Sequence, residues 1–259
     1  MFLSTLNLEL DNQIATLTIQ SPPANALSSK LLDDLSEKLD EIEKDGTVKA
    51  IILKGEGKFF SAGADIKEFT SLQNASDYQS LAEHGQKLFD RIEHLSQPVI
   101  AAIHGAALGG GLELAMACHM RIVSENAKLG LPEMTLGIIP GFAGTQRLPN
   151  YVGTHKAYEM ILSGEPISGQ EAAVLGLANH AVPEEDVFKE ALKLANKIAE
   201  KSQPAISHIM QLIPFAKTGQ FSRGVQEEAK AFGDVFGSED AKEGIQAFIE
   251  KRKPQFKDK

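Results

Sequence analysis

Short apolar runs that end near glycine alternate with amphipathic segments from about residue 47 to residue 182. The runs Ala50–Leu53 and Val99–Ile103 are uninterrupted, which is typical of strands that are buried on both faces of a parallel sheet. Residues 28–43 and 76–95 instead place apolar side chains at helical spacing. Because consecutive parallel strands need a crossover, usually a helix, this alternation predicts an α/β fold with a parallel sheet.

The two ends of the chain follow other patterns. Residues 6–19 alternate apolar and polar side chains around a turn at Asp11-Asn12, which predicts a β-hairpin. From Pro204 onward strand signals are absent, and three helical stretches are expected. We therefore expect a core in residues 1–200 and a helical region in residues 201–259, with phenylalanines that pack on a neighbouring subunit or on the core.

Charge and composition argue against several classes of protein. The net charge of −9 is unfavourable for a nucleic-acid surface. No run of about 18 apolar residues is present, so no membrane span is expected, and residues 1–4 do not begin a signal peptide. The single cysteine, Cys118, allows no internal disulfide, and its apolar neighbours favour a buried side chain over a nucleophile. We expect a cytoplasmic protein.

Two glutamates lie in glycine-marked segments. Glu113 follows the triplet Gly109-Gly110-Gly111 at a predicted helix start, and Glu133 follows Gly130-Leu131-Pro132. Free N–H groups at a helix start bind anions, and glycine lets a ligand approach the backbone. Such an arrangement suits proton transfer beside a carbonyl whose developing oxyanion is held by N–H groups. The alternatives are stabilisation of the helix start by Glu113 and, for Glu133, an exposed loop position or a helix cap.

A third segment, Ala62-Gly63-Ala64-Asp65, has small residues that also permit close approach of a ligand. Asp65 is either a helix N-cap or a ligand contact, and Lys67 either a solvated charge or a contact to an anionic group. His104 and His119 do not have the spacing of metal ligands, so no metal site is expected.

Together these segments resemble the crotonase (enoyl-CoA hydratase/isomerase) superfamily. The matching segments cover essentially the whole chain and lie at residues 60–68, 104–117, 129–137, 139–148 and 247–252. The resemblance implies a crotonase-like spiral of ββα turns, with a C-terminal helical trimerisation region. Residues 1–200 would then form the catalytic core, and residues 201–259 would assemble a homotrimer or a homohexamer made of two trimers.

The resemblance also implies the site. It places the catalytic pair at Glu113 and Glu133, and the oxyanion hole at the backbone N–H groups of Ala64 and Gly110. The same two residues would contact the coenzyme A thioester, together with Ala62, Asp65, Ile66, Lys67 and Gly141 and, from a neighbouring subunit, Phe248 and Lys251. No metal or redox cofactor is implied, since coenzyme A is part of the substrate.

The reaction implied is the reversible addition of water across the 2,3 double bond of trans-2-enoyl-CoA, which gives 3-hydroxyacyl-CoA in fatty acid β-oxidation. Glu113 would activate the water and Glu133 would supply the Cα proton. Three alternatives stay open. They are a hydratase of a branched substrate such as methylglutaconyl-CoA, an enoyl-CoA isomerase, and a non-catalytic or RNA-binding relative on the same fold. The branched substrate would need a pocket cation, and Arg147 is either that cation or a helix or interface residue, the second being favoured.

Substrate choice is expected to depend on the acyl pocket. Phe142 is bulky where glycine or alanine is common in the family, and it is expected to narrow or reshape this pocket. Leu112 is a second variable position, and residues 69–95 are expected to form the pocket wall.

Overall fold

Ten strands and ten α-helices are present in the computed structural model, counted within residues 5–69 and 74–259, which it describes. The strands are β1 (Leu6–Asp11), β2 (Ile14–Ile19), β3 (Ala50–Gly55), β4 (Phe59–Ser61), β5 (Val99–Ile103), β6 (Ala106–Leu108), β7 (Met120–Ser124), β8 (Lys128–Gly130), β9 (Ile167–Ser168) and β10 (His180–Val182). The helices are α1 (Ser29–Lys44), α2 (Ile66–Phe69), α3 (Ala75–Glu93), α4 (Gly110–Ala117), α5 (Gly144–Ser163), α6 (Gly169–Val174), α7 (Val187–Ala199), α8 (Gln203–Lys217), α9 (Phe221–Phe236) and α10 (Glu239–Glu250), with 3-10 helices at Pro132–Leu136 and Glu184–Asp186.

Two predictions fall outside the described residues, wholly or in part. They are the statement about a signal peptide at residues 1–4 and the part of the expected pocket wall at residues 70–73.

From β3 to β8, successive strands alternate between two sheets. The six-stranded sheet has the order β1-β2-β3-β5-β7-β10, and the four-stranded sheet has the order β4-β6-β8-β9. Within each pair β3/β4, β5/β6 and β7/β8, the first strand lies in the larger sheet and the second in the smaller one, and a helix follows. Pairing is parallel except for β1 with β2 and β8 with β9. The predicted spiral of ββα turns is therefore confirmed.

Both faces of the larger sheet are covered, which explains the uninterrupted apolar strands. In β3, Ile51 and Leu53 pack into the core cluster that contains residues of α1, α3 and α4. Ala50 and Ile52 point to the opposite face, where α7 supplies Val187 and other small apolar side chains. Burial of each large aliphatic side chain contributes about 1.5–3 kcal/mol to stability. The same packing holds α4, the helix of the glycine triplet, against the sheet.

Local signals also formed the expected elements. The predicted hairpin of β1 and β2 forms, but its turn lies at Asn12 and Gln13, one position later than the predicted Asp11-Asn12, and both turn residues are in the left-handed region. Ser28 caps α1, and its hydroxyl accepts a hydrogen bond from the N–H of Leu31 at 3.2 Å. A capping box between Ser168 and Glu171 opens α6. These elements need only nearby residues, so the sequence predicts them well.

The C-terminal region consists of the three predicted helices α8, α9 and α10. It exposes large apolar side chains, among them Phe221, Phe232, Phe236 and Phe248, in which 58–86% of the residue surface is accessible. Such a surface is typical of a region that contacts another protein chain. The division into two domains near residue 200 stays a prediction. None of the helices in the part of the chain that the structure describes has the length and apolar character needed to span a bilayer.

Candidate active site

A cavity of about 450 Å³ lies where the glycine-rich segments meet. Its walls come from the loop before α2, the start of α4, the 3-10 helix Pro132–Leu136, the loop that follows it, and one side of α3. Both predicted catalytic glutamates line it. The rest of the wall is mostly apolar, which is typical of a small-molecule site with few polar groups.

Glu113 lies in the first turn of α4, and only 1% of its surface is exposed. Its Oε1 accepts hydrogen bonds from the backbone N–H groups of Phe142 at 2.8 Å and Gly144 at 2.7 Å. Ala143, between them, has a left-handed φ of 71°. This conformation directs both N–H groups to one side, so that they form a concave anion site, or nest. Glu113 is thereby held in one orientation beside the cavity.

The pKa of Glu113 is raised to about 7. Burial is the larger cause, and the negative charge of Glu133 is the second. The two N–H groups and the positive charge of Arg147 oppose this rise. A carboxyl group with a pKa near neutrality exchanges protons readily at physiological pH, which suits a general base or acid.

Glu133 lies in the 3-10 helix, directly after Pro132. Its Oε2 is buried and accepts no hydrogen bond from the described residues. Burial raises the pKa of this carboxyl above its ordinary value, because the ionised form loses water. An unpartnered buried carboxyl oxygen is unusual in a protein, and on a residue that lines a cavity it indicates a functional role.

At each position of the glycine triplet a side chain would come too close to a neighbouring group, so that glycine is required there. A Cβ on Gly109 would lie 2.8 Å from Glu133 Oε1, and Gly109 also has a left-handed φ of 52°. A Cβ on Gly110 would lie 3.1 Å from the Phe142 ring, and one on Gly111 would lie 2.4 Å from the Ser61 carbonyl. The triplet therefore lets Glu133, Phe142 and strand β4 approach the start of α4 closely.

The backbone N–H groups of Ala64 and Gly110, beside the glutamates, donate to no described residue. Both residues line the cavity, and a Cβ on Gly63 would lie 3.3 Å from the Gly110 nitrogen, so the two segments are adjacent. The amide of Gly109, by contrast, donates to the Gly130 carbonyl at 2.9 Å. The arrangement supplies two N–H donors for a substrate oxygen, as an oxyanion hole requires.

Comparison with known proteins gives a consistent result. The sequence model of the family described as enoyl-CoA hydratase/isomerase matches residues 9–259. The chain belongs to this family. A protein of Bacillus subtilis (strain 168) named "Probable enoyl-CoA hydratase" is 60% identical over 256 residues, which cover 98% of this chain and 99% of the relative. The "Short-chain-enoyl-CoA hydratase" of Clostridium acetobutylicum is 42% identical, with 98% of this chain and 97% of the relative covered. The crystal structure of the enoyl-CoA hydratase from Bacillus anthracis, at 38% identity, matches with a TM-score of 0.94 over 98% of this chain and 100% of that one.

The family resemblance predicted further contacts for coenzyme A, and the structure places them in different regions. Those that line the cavity are Ala62, Ala64, Ile66, Gly110 and Gly141. Asp65 accepts a hydrogen bond from the Lys67 N–H at 2.9 Å, as expected for the N-cap of α2. Phe248 and Lys251 lie at the end of α10 and do not line the cavity of the same chain. Their predicted contribution from a neighbouring subunit stays a prediction.

Arg147 does not line the cavity, contrary to the hypothesis of a pocket cation. Its Nε lies 3.0 Å from Glu93 Oε2, and its guanidinium donates to the Phe142 carbonyl at 2.9 Å. Leu112, expected to influence substrate choice, is fully buried in the core and does not line the cavity either. In both cases the helix turns the side chain away from the site.

Three other side chains considered from the sequence are buried or bound to the backbone and lie outside the cavity. Cys118 is buried, and burial raises the pKa of its thiol to about 12, which agrees with the interpretation of a packing residue. His104 lies against the Gly57 carbonyl at 2.8 Å. Burial lowers the pKa of His119 to about 4. Within residues 5–69 and 74–259, no group of three or more potential metal ligands is found.

Several site residues were not foreseen from the sequence. The N–H groups of Phe142 and Gly144 hold Glu113, although the residues are 29 and 31 positions away from it. Gln86 of α3 donates to the Gly141 carbonyl at 2.8 Å. Gly141 and Gly144 were the available signal, since glycines mark backbone that approaches other groups closely. The expected pocket wall in residues 69–95 is represented by Tyr78, Leu81 and Ala82.

Proposed function

We propose that the chain adds water reversibly across the 2,3 double bond of a trans-2-enoyl-CoA and forms a 3-hydroxyacyl-CoA, with Glu113 and Glu133 as the catalytic pair. The enzyme class follows from the family match and from the 60% identity to a curated relative over 98% of this chain: the chain is an enoyl-CoA hydratase, a hydro-lyase. The observation that carries the assignment of the site is the convergence of both glutamates on one cavity, beside the N–H groups of Ala64 and Gly110.

The two N–H groups would hold the thioester carbonyl oxygen. When an oxygen nucleophile attacks Cβ, the electrons of the double bond move toward this carbonyl, and negative charge develops on its oxygen. Hydrogen-bond donors that are already oriented stabilise this charge without reorganisation, and one such donor typically contributes about 2.7–4 kcal/mol to the transition state. Ala64 and Gly110 supply these donors from the backbone, so their side chains need no polar group.

The roles of the glutamates follow from their surroundings. Two N–H groups on Oε1 favour the ionised form of Glu113, so this residue acts as the base that takes a proton from water. The unpartnered, buried Oε2 favours the protonated form of Glu133, so this residue supplies the proton to Cα. The water oxygen bonds to Cβ, the C2–C3 π bond breaks, and Cα gains a proton. Transfer of a proton from Glu113 back to Glu133 restores the resting pair.

The test is the loss of crotonyl-CoA absorbance on addition of purified protein. Glu113→Gln and Glu133→Gln should each lower kcat by at least about 100-fold, because general acid–base catalysis contributes this much or more. Glu165→Gln is the matched control, since Glu165 is exposed and lies outside the cavity. Undiminished turnover in either cavity variant would contradict the role of that glutamate.

The cavity favours a short, uncharged acyl group. The Phe142 ring packs against Gly85, where a Cβ would lie 2.5 Å from the ring, and against Phe89 with ring centroids 5.3 Å apart. Phe142 lines the cavity, so its firmly packed ring should limit the length of the acyl group. No lysine or arginine lines it among the described residues, which is unfavourable for a substrate with a second carboxylate, such as methylglutaconyl-CoA. A rate survey over short, long and branched enoyl-CoA thioesters, with a 3-enoyl-CoA included for isomerase activity, tests these preferences.

The proposed assembly is a homotrimer or a homohexamer. It is supported by the exposed apolar side chains of α8, α9 and α10, which include Phe248 at 86% exposure. In such an assembly Phe248 and Lys251 would reach the coenzyme A site of a neighbour. Light scattering after size-exclusion chromatography measures the mass directly, and a monomer would contradict this proposal. Placement in fatty acid β-oxidation and in the cytoplasm stays a prediction.

A further inference from the structure

The loop of residues 141–144 holds Glu113, and each of its first three carbonyl groups is anchored on the side away from Glu113. The Gly141 carbonyl accepts from Gln86 Nε2 at 2.8 Å, and the Phe142 carbonyl accepts from the Arg147 guanidinium at 2.9 Å. The Ala143 carbonyl accepts from the N–H groups of Gln146 at 3.0 Å and Arg147 at 2.9 Å. Every peptide unit from Gly141 to Gly144 is therefore fixed by a hydrogen bond.

The planarity of the peptide bond connects these anchors to the catalytic carboxylate. The Gly141 carbonyl shares its plane with the N–H of Phe142, and the Ala143 carbonyl shares its plane with the N–H of Gly144. Fixing the two carbonyls therefore fixes the two N–H groups that bind Glu113 Oε1. The anchor on the Phe142 carbonyl orients the peptide unit between them, next to the left-handed Ala143.

Arg147 is held in place by its own partners. Its side chain is 11% exposed, and its Nε lies 3.0 Å from Glu93 Oε2. The other oxygen of Glu93 lies 3.0 Å from the Lys217 ammonium group. Burial alone would favour a neutral Glu93, but Lys217 and Arg147 hold the pKa of this carboxyl below its ordinary value. Glu93 and Gln86 lie seven positions apart on α3, so one face of this helix supports the whole loop.

We propose that Arg147, paired with Glu93, and Gln86 are positioning residues for the hydration reaction: they fix the peptide units that hold Glu113 without touching the substrate. This inference rests on the proposed function of Glu113 as the base. It predicts an effect on kcat rather than on KM, because Arg147 and Gln86 do not line the cavity.

Arg147 also acts on Glu113 through its charge. The charged groups that influence Glu113 are Glu133, from the 3-10 helix, and Arg147, from α5, while α4 has no other charged side chain. Arg147 lowers the pKa of Glu113. Loss of its charge should therefore raise that pKa and move the rising limb of the pH–rate profile to higher pH. A residue that only stabilised the fold would leave this limb unchanged.

Three variants separate geometry from charge in crotonyl-CoA hydration. Arg147→Lys keeps the charge but cannot bind Glu93 and the Phe142 carbonyl with one planar group, so we expect kcat to fall about 10-fold to 100-fold with an unchanged pH limb. Arg147→Gln should lower kcat at least as much and also shift the limb to higher pH. Gln86→Ala, at an exposed position, should lower kcat with an unchanged limb. KM should change by less than about 3-fold in all three.

Lys156→Gln is the matched control. It removes a cation from the same helix and breaks an exposed ion pair with Glu159, so kcat and the pH limb should stay at wild-type values. Circular dichroism and thermal unfolding show whether each variant is folded. If Arg147→Gln does not fold, the kcat values of Arg147→Lys and Gln86→Ala test the inference. Wild-type kcat in both of these variants would overturn the inference, whereas an inactive wild type, or an active Glu113→Gln variant, would instead refute the proposed function.

Discussion

Replacement of Glu113 by glutamine should stabilise the protein at neutral pH while it removes activity. The carboxyl of Glu113 has an ordinary pKa of 4.5, and burial in the folded chain raises this pKa to about 7. Between these values the folded state binds more protons than the unfolded state, so this group destabilises the protein progressively as pH rises. Below pH 4.5 both states are protonated and the group has no effect. Above pH 7 both are ionised, and the full cost is about 3 kcal/mol.

Glutamine has no charge to bury, and its carbonyl oxygen can still accept the N–H groups of Phe142 and Gly144. The free energy of unfolding of Glu113→Gln relative to wild type should therefore increase by about 2–3 kcal/mol between pH 5 and pH 8. Urea unfolding at both pH values measures the difference, at one protein concentration because assembly contributes to stability. Glu165→Gln, at an exposed position, should show no such trend. A difference between Glu113→Gln and wild type that is constant across this pH range would refute the argument.

Three further predictions follow from contacts at the same site. Phe142→Ala should lower the free energy of unfolding by about 3–5 kcal/mol, because the ring that packs on Gly85 is removed. It should also raise kcat/KM for long-chain relative to short-chain enoyl-CoA. An unchanged chain-length profile in a series of substrates would contradict the role of Phe142 in the pocket. Gly109→Ala should lower kcat for crotonyl-CoA, since a Cβ would lie 2.8 Å from Glu133 Oε1 and a left-handed φ is unfavourable for alanine. A wild-type kcat in this variant would contradict the importance of the close contact. For the wild type, kcat/KM for crotonyl-CoA should rise through about pH 7 as Glu113 ionises, whereas a flat profile from pH 5.5 to pH 8.5 would exclude Glu113 as the base.

The sequence was a good guide where one segment determines the structure. The run Val99–Ile103 is a strand with these same bounds, because an uninterrupted apolar stretch can only be buried on both faces. The capping box at Ser168 and Glu171 needs two side chains three positions apart. The glycine triplet before Glu113 marked the backbone that approaches Glu133 and Ser61.

The sequence was a poor guide to the direction of side chains near the site. Arg147 was a candidate for a cation inside the pocket, but it turns toward Glu93, 54 positions away. Leu112 was a candidate for substrate choice, but it points into the core, one position before a glutamate that lines the cavity. On a helix, a step of one residue rotates the side chain by about 100°, so the surroundings decide which neighbour faces the ligand.

The amino-acid sequence by itself determined the alternation of strands and helices and marked the two glutamates, because periodicity, glycine and capping residues act over a few positions. The spiral arrangement of these elements was implied only by the resemblance to a family. Tertiary structure alone decided the environment of each glutamate. The N–H groups on Glu113 come from residues 29 and 31 positions later, and the loop that carries them is anchored from α3. The pKa of a carboxyl group depends on burial and on the charges around it in space, and these are set only when distant segments pack together.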